Sequence, residues 1–227
     1  QGRSSIIVSE YGISPVKDGV APNRLLRSSG LLAVREEQGR ELLDPLQSKA
    51  FIVADHQIGH VYVRESENIE QVAQLLSGLE GVGEVLKGDA IAEAGLEHER
   101  SGDLVILSDP DRWFTWDYWL DPNQAPDFAR TIDIHRKPGY DPRELFLAGG
   151  WAGSKLRIAL KLLKKRLGQR TLMDVISLDT GQVGGSHGRI DPESDGILIL
   201  PDSRPGFAER PCCTDVHDLV LRQLFGD

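Results

Sequence analysis

The sequence predicts an α/β domain in which a parallel-rich sheet is flanked by helices, with a strand-containing insertion. Two patterns support this prediction: short β-branched apolar runs recur along the chain, and segments with helical spacing of apolar residues alternate with them. Glycine or proline separates most of these pieces. With 227 residues, 40% hydrophobic and 27% charged, the composition is that of an ordinary globular domain with a sizeable core.

The first predicted strand is the short β-branched run at residues 4–9, which leads directly into Glu10, Tyr11 and Gly12. A buried parallel strand delivers polar side chains to a site at its carboxyl end in this manner, so functional residues are expected there. A strand of that kind normally has a neighbour on each side. We therefore expect partners for it from an N-terminal half that precedes this sequence.

The remaining regular elements follow from periodicity and from breaking residues. A short helix is predicted at residues 22–30, where Pro22 lies in the first turn and Gly30 at the end. Further helices are predicted over residues 68–79, 89–96, 154–167 and 214–226. Further strands are predicted over residues 31–35, 48–55, 60–64, 82–86, 101–108 and 196–200. The helix at 154–167 sets apolar side chains against a basic face, which predicts that it packs on the sheet.

An aromatic segment at residues 113–119 holds three of the four tryptophans. Tryptophan and tyrosine serve in binding surfaces and in apolar cores alike. The segment is therefore either a pocket wall or interface, or a local aromatic core beneath a long loop.

The loop that follows, residues 122–142, is rich in proline and aspartate and contains Arg136, Lys137 and Tyr140. A loop longer than about 12 residues in a compact domain is usually functional or disordered. We predict that it forms, with the aromatic segment, a substrate-facing lid in which these three side chains bind an anionic group. The structural alternative is that the arginine and the lysine pair with aspartates of the same loop and brace it.

A histidine held between glycines, His187 within residues 184–189, is the leading candidate for a metal-site loop. Flanking glycines let the backbone take positive φ and approach an ion closely, and imidazole is the commonest neutral metal ligand. The alternative is a glycine-rich turn whose histidine is exposed. Asp55 and His56 form a second candidate pair, because a carboxylate and an imidazole can ligate or orient a metal. The alternative there is a strand-end histidine bonded to the backbone.

Charge and composition argue against several kinds of partner. The net charge is −9 and basic residues are scattered except at 161–166, so we expect no nucleic-acid surface. No apolar run reaches the ~18 residues of a membrane span and no signal-peptide pattern is present, so we expect no membrane partner. The two cysteines, Cys212 and Cys213, are adjacent, a spacing that rarely forms a disulfide, which favours a cytoplasmic setting.

Several landmarks together resemble a known family. They are the run Ile6-Ile-Val-Ser-Glu-Tyr-Gly12, the strands at 60–63 and 102–107, the loop Gly185-Ser-His-Gly188, and the closing helix at 214–226. In this order they are similar to the carboxy-terminal half of the alkaline phosphatase superfamily, in its type I phosphodiesterase and nucleotide pyrophosphatase branch. The resemblance extends over nearly the whole chain, although each motif is short.

The resemblance implies a chemistry and also marks departures from it. In that family two divalent metals, often zinc, activate a threonine or serine nucleophile and clamp the phosphate oxygens. His187 matches the family's loop histidine, and Glu10 takes the place of its strand-end aspartate. Tyr11 stands where the family has histidine, and a phenol is a poor zinc ligand because its pKa, near 10, must first be lowered. The family's nucleophile and remaining metal ligands precede the first matched strand and have no counterpart here.

We therefore expect the carboxy-terminal part of a metal-dependent phosphodiesterase or nucleotide pyrophosphatase-like hydrolase that acts on a small phosphate ester with zinc or manganese. Residues 1–227 are expected to belong to an alkaline-phosphatase-like domain, with residues 16–173 as an insertion or cap. The expected metal ligands are His187, Glu10, His56 and Asp55. We expect no activity without an N-terminal half or second chain. The rival is a non-catalytic binding or structural domain that kept the fold and lost the second metal, as Tyr11 permits.

Overall fold

The computed structural model describes residues 5–200 and 211–225, and the chain divides into two compact units. One unit combines Gln1–Ile13 with Asp191–Asp227, and the other is Ser14–Ile190. The predicted insertion at 16–173 lies inside the larger unit, and its status as an insertion stays a prediction.

The regular elements are numbered in chain order. The strands are β1 (Ile7–Val8), β2 (Ser14–Pro15), β3 (Asp18–Val20), β4 (Val34–Glu37), β5 (Arg40–Leu43), β6 (Ala50–Asp55), β7 (Ile58–Val63), β8 (Val82–Lys87), β9 (Leu104–Ser108), β10 (Arg112–Phe114), β11 (Gly139–Tyr140), β12 (Gly185–Ser186) and β13 (Leu198–Ile199). The α-helices are α1 (Pro22–Ser28), α2 (Ile69–Ser77), α3 (Asp89–Glu93), α4 (Gly150–Arg166) and α5 (Val216–Phe225). All five predicted helices are thereby confirmed, although the predicted end of the last, Gly226, lies outside the described residues.

A five-stranded sheet of order β11-β6-β7-β9-β8 forms the centre of the larger unit. Strand β11 pairs parallel with β6, whereas β6 with β7, β7 with β9, and β8 with β9 pair antiparallel. The predicted α/β class with a helix-flanked sheet is confirmed, and the pairing is mixed rather than parallel-rich. The reason is the short connection between Asp55 and Ile58, which permits only a hairpin because a parallel crossover needs a dozen or more residues.

Helices α1 and α2 flank this sheet and close its main core. On α1 the buried Asn23 side chain donates to the carbonyl of Ile52 at 2.7 Å and accepts from its amide at 2.8 Å, which fixes the helix to β6. On α2 Val72 and Leu76 are fully buried, as the helical spacing of apolar residues predicts. The core beneath them includes Ile52 and Ile106 from the sheet.

In the smaller unit β1 pairs antiparallel with β13. Ile7 and Val8 are 59% and 51% exposed, and Ile199 is 52% exposed. The predictions of a buried parallel strand at 4–9 and of a buried strand at 196–200 are therefore wrong in partner and burial, and Ser4 lies outside the described residues. A β-branched run specifies extended backbone, but it does not specify what covers the strand.

The two segments whose packing was predicted from apolar content behave in opposite ways. Trp113, Trp116 and Trp119 are 0–1% exposed. Of the two alternatives for the aromatic segment, the local aromatic core is therefore the one confirmed. Helix α4 instead exposes its leucines, and the prediction that it packs on the sheet through them is wrong: Ser154 is the only buried residue among those of α4 whose side chains are described. Across residues 5–200 and 211–225 we find no helix that is both long and apolar enough to cross a bilayer.

Candidate functional site

The glycine-flanked loop around His187 is fixed to the end of the central sheet. Its first part, β12, pairs antiparallel with β2, and the amide of Gln57 donates to the carbonyl of His187 at 2.8 Å. Gly188 has a φ of 106°, and a Cβ added there would lie 3.3 Å from Cγ2 of Ile58. Glycine is thus required at 188 by backbone conformation and is favoured by the close approach to β7.

The loop meets the turn between β6 and β7, where His56 takes a left-handed conformation with a φ of 54°. That conformation is uncommon for a residue with a side chain and is seen at strained functional sites. The amide of Phe114 donates to the carbonyl of His56 at 2.7 Å, which helps to hold the turn. The His56 side chain is 15% exposed. The sequence alternative, a strand-end histidine whose ring is hydrogen-bonded to backbone, stays a prediction, and the ring lies near Oγ of Ser186.

Three rings stack at this junction. The centroids of His56 and His187 are 3.9 Å apart with a 35° tilt, and the centroids of His56 and Tyr140 are 5.1 Å apart at 29°. Nδ1 of His56 lies 3.2 Å from Oγ of Ser186. Tyr140 reaches the site because β11 pairs with the end of β6. The structure therefore joins His56, His187 and Tyr140, which come from three separate sequence candidates.

Burial decides the charge state of this cluster. Burial and, second, the nearby His187 lower the pKa of His56 to about 4, so its ring is neutral at pH 7. Burial raises the pKa of the Asp55 carboxyl, and His187 opposes that rise. Oδ1 of Asp55 lies 3.9 Å from Nε2 of His56, and with a neutral imidazole this contact is not an ion pair. Neutral imidazole is the form that binds a metal.

The cluster does not form a three-ligand metal site as it stands. Within residues 5–200 and 211–225 no group of three or more His, Cys, Asp or Glu side chains could hold a metal ion. Imidazole lone pairs lie in the ring plane, and rings that lie against each other at 3.9 Å with a 35° tilt are closer than two imidazoles that bind one tetrahedral ion about 2.1 Å from each nitrogen. Asp55, His56 and His187 thus suit zinc or manganese in kind, but His56 and His187 do not share an ion in this arrangement.

Glu10 and Tyr11 lie in the other unit, just after β1, and both are exposed. Tyr11 is 44% exposed. The prediction that Glu10 holds a metal stays a prediction.

The three predicted substrate residues fall in two places, because Arg136 and Lys137 line one cavity and Tyr140 lies elsewhere. Tyr140 lies at the histidines. Arg136 is 56% exposed, with Nε 3.6 Å from Oδ2 of Asp133, and lines a separate cavity of about 680 Å³ whose lining includes neither His56 nor His187. Lys137 is buried, and its Nζ donates to Glu144 and, at 2.8 Å, to the carbonyl of Thr131.

Lys137 therefore follows the structural alternative, in which it braces the loop. Its partner is a glutamate of the following 3-10 helix, Pro142–Leu145, rather than an aspartate of the loop. A buried ammonium needs a close anion and hydrogen-bond acceptors, and both are present here. The assignment of Lys137 as a substrate residue stays a prediction, beside the bracing role that these contacts favour.

Two contributors were not singled out from the sequence. Ser186 approaches His56, and its place next to His187 on the short strand β12 was the available signal. Gln57 is fully buried and its Nε2 donates to the carbonyls of Pro110 and Arg112 at 3.1 and 2.9 Å. No sequence pattern marks a glutamine as a buried brace.

Comparison with known proteins gives three findings. The search of curated proteins found no match. Solved structures of phosphonoacetate hydrolase from Sinorhizobium meliloti 1021, in complex with phosphonoacetate and with phosphonoformate, match with TM-scores of 0.47 and 0.48 at 15% identity. Each match covers 92% of this chain, which spans 38% of the length of those structures. The model of the type I phosphodiesterase / nucleotide pyrophosphatase family matches residues 3–141.

That match covers more than half of the 227 residues and includes the first strand and the turn that carries His56. His187 lies beyond it, so its assignment depends on the loop motif and on its contact with that turn. The family inferred from the sequence motifs is confirmed: the chain belongs to the type I phosphodiesterase / nucleotide pyrophosphatase family.

Proposed function

We propose that the chain is the carboxy-terminal part of a metal-dependent hydrolase that cleaves phosphodiester or pyrophosphate bonds in a small phosphate ester. The single observation that carries the proposal is the position of His187. Its loop is hydrogen-bonded to the turn at Gln57, within the part of the chain that matches the family. The neutral ring of His56 beside it and the carboxyl group of Asp55 nearby are the kinds of group expected next to a metal ligand.

His187 is the proposed metal ligand, and Glu10 the proposed carboxylate ligand by its match to the family position. The stacked geometry favours a supporting role for His56 and Asp55, which would orient the His187 ring rather than share its ion. A divalent zinc or manganese ion, when bound, would polarise a phosphoryl oxygen. Tyr140, whose ring stacks on His56, is the proposed substrate contact at this place, and Arg136 stays a predicted contact for a substrate group that reaches its cavity.

The family's nucleophile and other metal ligands match none of residues 1–227. The proposal therefore places them in a further segment or a second chain, and it expects no turnover by the 227 residues alone. A cytoplasmic setting is part of the proposal, supported by Cys212 and Cys213, which are exposed and unbridged.

A non-catalytic domain of the same family is the second candidate. Tyr11 in place of a metal-binding histidine favours it. The two candidates differ in whether His187 binds a metal.

The test is metal content. The complete protein, with the further segment or second chain that supplies the other ligands, is loaded with zinc or manganese, dialysed and measured by elemental analysis, beside the variants His187→Ala and His98→Ala. His98 is exposed and lies outside the site, so it controls for adventitious binding to surface imidazole. We expect His187→Ala to lose most of the bound metal and His98→Ala to keep it. Equal metal in wild type and His187→Ala would overturn the proposed role.

A further inference from the structure

Helix α4 presents a continuous apolar row to solvent. Leu156, Leu160, Leu163 and Leu167 follow one another at spacings of four, three and four residues, which places them on one face of a helix. Their exposures are 64%, 52%, 53% and 68%. We call this row the leucine face.

Polar contacts fix α4 to the chain segments that flank it, and most of the helix surface is exposed. Ser154 is 1% exposed, and its Oγ donates to the carbonyl of Ala148 at 2.8 Å. Nη2 of Arg157 lies 2.8 Å from Oδ2 of Asp174. Nζ of Lys161 pairs with the same aspartate and donates to the carbonyl of Leu172 at 2.9 Å. These partners contact Ser154, Arg157 and Lys161, and the leucine face stays exposed.

The charged residues of α4 are all basic. Its 17 residues include six lysines and arginines and no acid, in a chain whose net charge is −9. With 3.6 residues per turn, Lys155 and Arg166 lie along one border of the leucine face and Lys164 along the other. All three are exposed. Cations in these border rows can rest their methylene stems on an apolar surface and extend their charges to its polar edge.

We propose that the leucine face of α4 lies on an anionic lipid surface, with the helix axis parallel to the bilayer plane. The leucines would enter the acyl boundary, and Lys155, Lys164 and Arg166 would meet lipid phosphates or carboxylates. An exposed apolar row bordered by cations on both sides is the pattern of interfacial helices, and a cluster of four to eight basic residues on such a helix is typical of binding to anionic lipid.

Charge argues against a second copy of this helix as the occupant. Docked leucine face to leucine face, two copies would bring Lys155, Lys164 and Arg166 of one near the same three cations of the other. An apolar groove on an acidic polypeptide would contact only a narrow row of apolar side chains in one fixed register. Leu162 is 52% exposed and lies outside the leucine face, on the far side of Lys155. It widens the apolar surface of the helix, and a planar lipid surface contacts such a wide apolar surface better than a narrow groove does.

This proposal does not depend on the proposed hydrolase function. It revises the expectation that the chain has no membrane partner, because that expectation came from the lack of a spanning segment and interfacial binding needs none.

The test is co-sedimentation of the full chain with vesicles of phosphatidylcholine, with and without phosphatidylserine. We expect binding only with phosphatidylserine, and weaker binding as salt rises. The double variant Leu156→Gln/Leu163→Gln should lower the partition coefficient at least about tenfold. Lys164→Glu/Arg166→Glu should lower it about 30-fold or more, because each basic residue at the surface contributes roughly 1 kcal/mol.

Matched controls are available on the same unit. Leu46 is 77% exposed and Lys49 is exposed, and both lie outside α4, so Leu46→Gln and Lys49→Glu should bind vesicles like the wild type. Hydrogen exchange of the wild-type chain should show extra protection of α4 when phosphatidylserine vesicles are present, a readout that needs no variant. No binding to these vesicles, equal binding to pure phosphatidylcholine, or equal loss in the control variants would overturn the proposal.

Discussion

The aromatic segment at 113–119 and helix α4 contrast sharply in regularity and burial. The aromatic segment has regular structure only in β10, at Arg112–Phe114, yet its tryptophans are 0–1% exposed. Helix α4 is the longest regular element among the described residues, yet its leucines are more than half exposed. The difference teaches that a regular backbone does not by itself bring burial: the ion pairs that hold the aromatic segment are buried, whereas the Arg157–Asp174 pair of α4 is 43% and 28% exposed.

The anchor of the aromatic segment is Arg143. Its guanidinium donates to both carboxylate oxygens of Asp141 and of Asp117, at 2.5–3.0 Å. Nε1 of Trp116 donates to Oδ2 of Asp141 at 2.8 Å, so the same network holds the indole in the core. The carbonyl of Leu178 accepts a further bond from Nη1 of the arginine. Every charge in this cluster therefore has a partner, as burial requires.

The largest effect on stability is expected when Arg143, which anchors the aromatic segment, is replaced. Arg143→Met keeps the length and apolar stem of the side chain but leaves the carboxylates of Asp117 and Asp141 without their main cation. Breaking a buried pair in this way costs about 3–5 kcal/mol. We expect a loss of that size in the free energy of unfolding, measured by urea denaturation.

The matched control for that variant is Arg157→Met on α4, whose pair with Asp174 is 43% and 28% exposed. Exposed pairs contribute about 0–1 kcal/mol, so this variant should change the free energy of unfolding little. Equal losses for Arg143→Met and Arg157→Met would contradict the view that the aromatic segment depends on its buried anchor.

A smaller loss of stability is expected for a substitution at Lys137. It tests whether the loop after the aromatic segment is a substrate-facing lid or is braced by this lysine. Lys137→Met leaves the buried carboxylate of Glu144 without its cation, which costs about 1–3 kcal/mol or more for a charged group. For a chain of this size each kcal/mol lowers the thermal midpoint by about 2–4 °C.

The comparison for Lys137 is Arg136→Met, since that side chain is 56% exposed and its loss should cost less than about 1 kcal/mol. A lower midpoint for the lysine variant alone supports the brace. An unchanged midpoint, together with weaker binding of a phosphate ester by the intact enzyme, would restore Lys137 to the lid.

These two regions also show what the sequence could and could not predict. Hydrophobic periodicity located all five helices, because periodicity is a local property of the chain. It could not assign the exposed face of α4, since the helix is held by polar contacts of Ser154 and Lys161 to the flanking residues Ala148 and Leu172 rather than by apolar contacts. Four of the five strands of the central sheet were predicted, whereas β11 lies in a segment predicted as loop. The mixed pairing of the sheet follows from connection length rather than from apolar content.

The candidate site was predictable in its members and not in its geometry. His187, His56 and Tyr140 each came from a separate local pattern, and the structure joins them through β11 and the turn after β6. No local pattern tells that two histidines 131 positions apart stack at 3.9 Å, because that distance is a result of tertiary pairing. Because of this tertiary pairing, the rings of His56 and His187, both predicted as metal ligands, lie against each other.

The smallest expected effect lies on the leucine face of α4. Leu156→Gln and Leu163→Gln replace side chains that are 64% and 53% exposed, so little apolar surface is lost from the core. Both residues form helices well, and surface substitutions of this kind usually change stability by no more than about 0.5 kcal/mol. The reference is Leu76→Gln on α2, at a fully buried position, which should unfold the protein much more easily because an amide is placed in the core. Urea denaturation of the three variants compares them directly. A loss of about 2 kcal/mol or more for either α4 variant would show that the leucine face is packed within the protein in solution, and the contrast between the helix and the aromatic segment would then disappear.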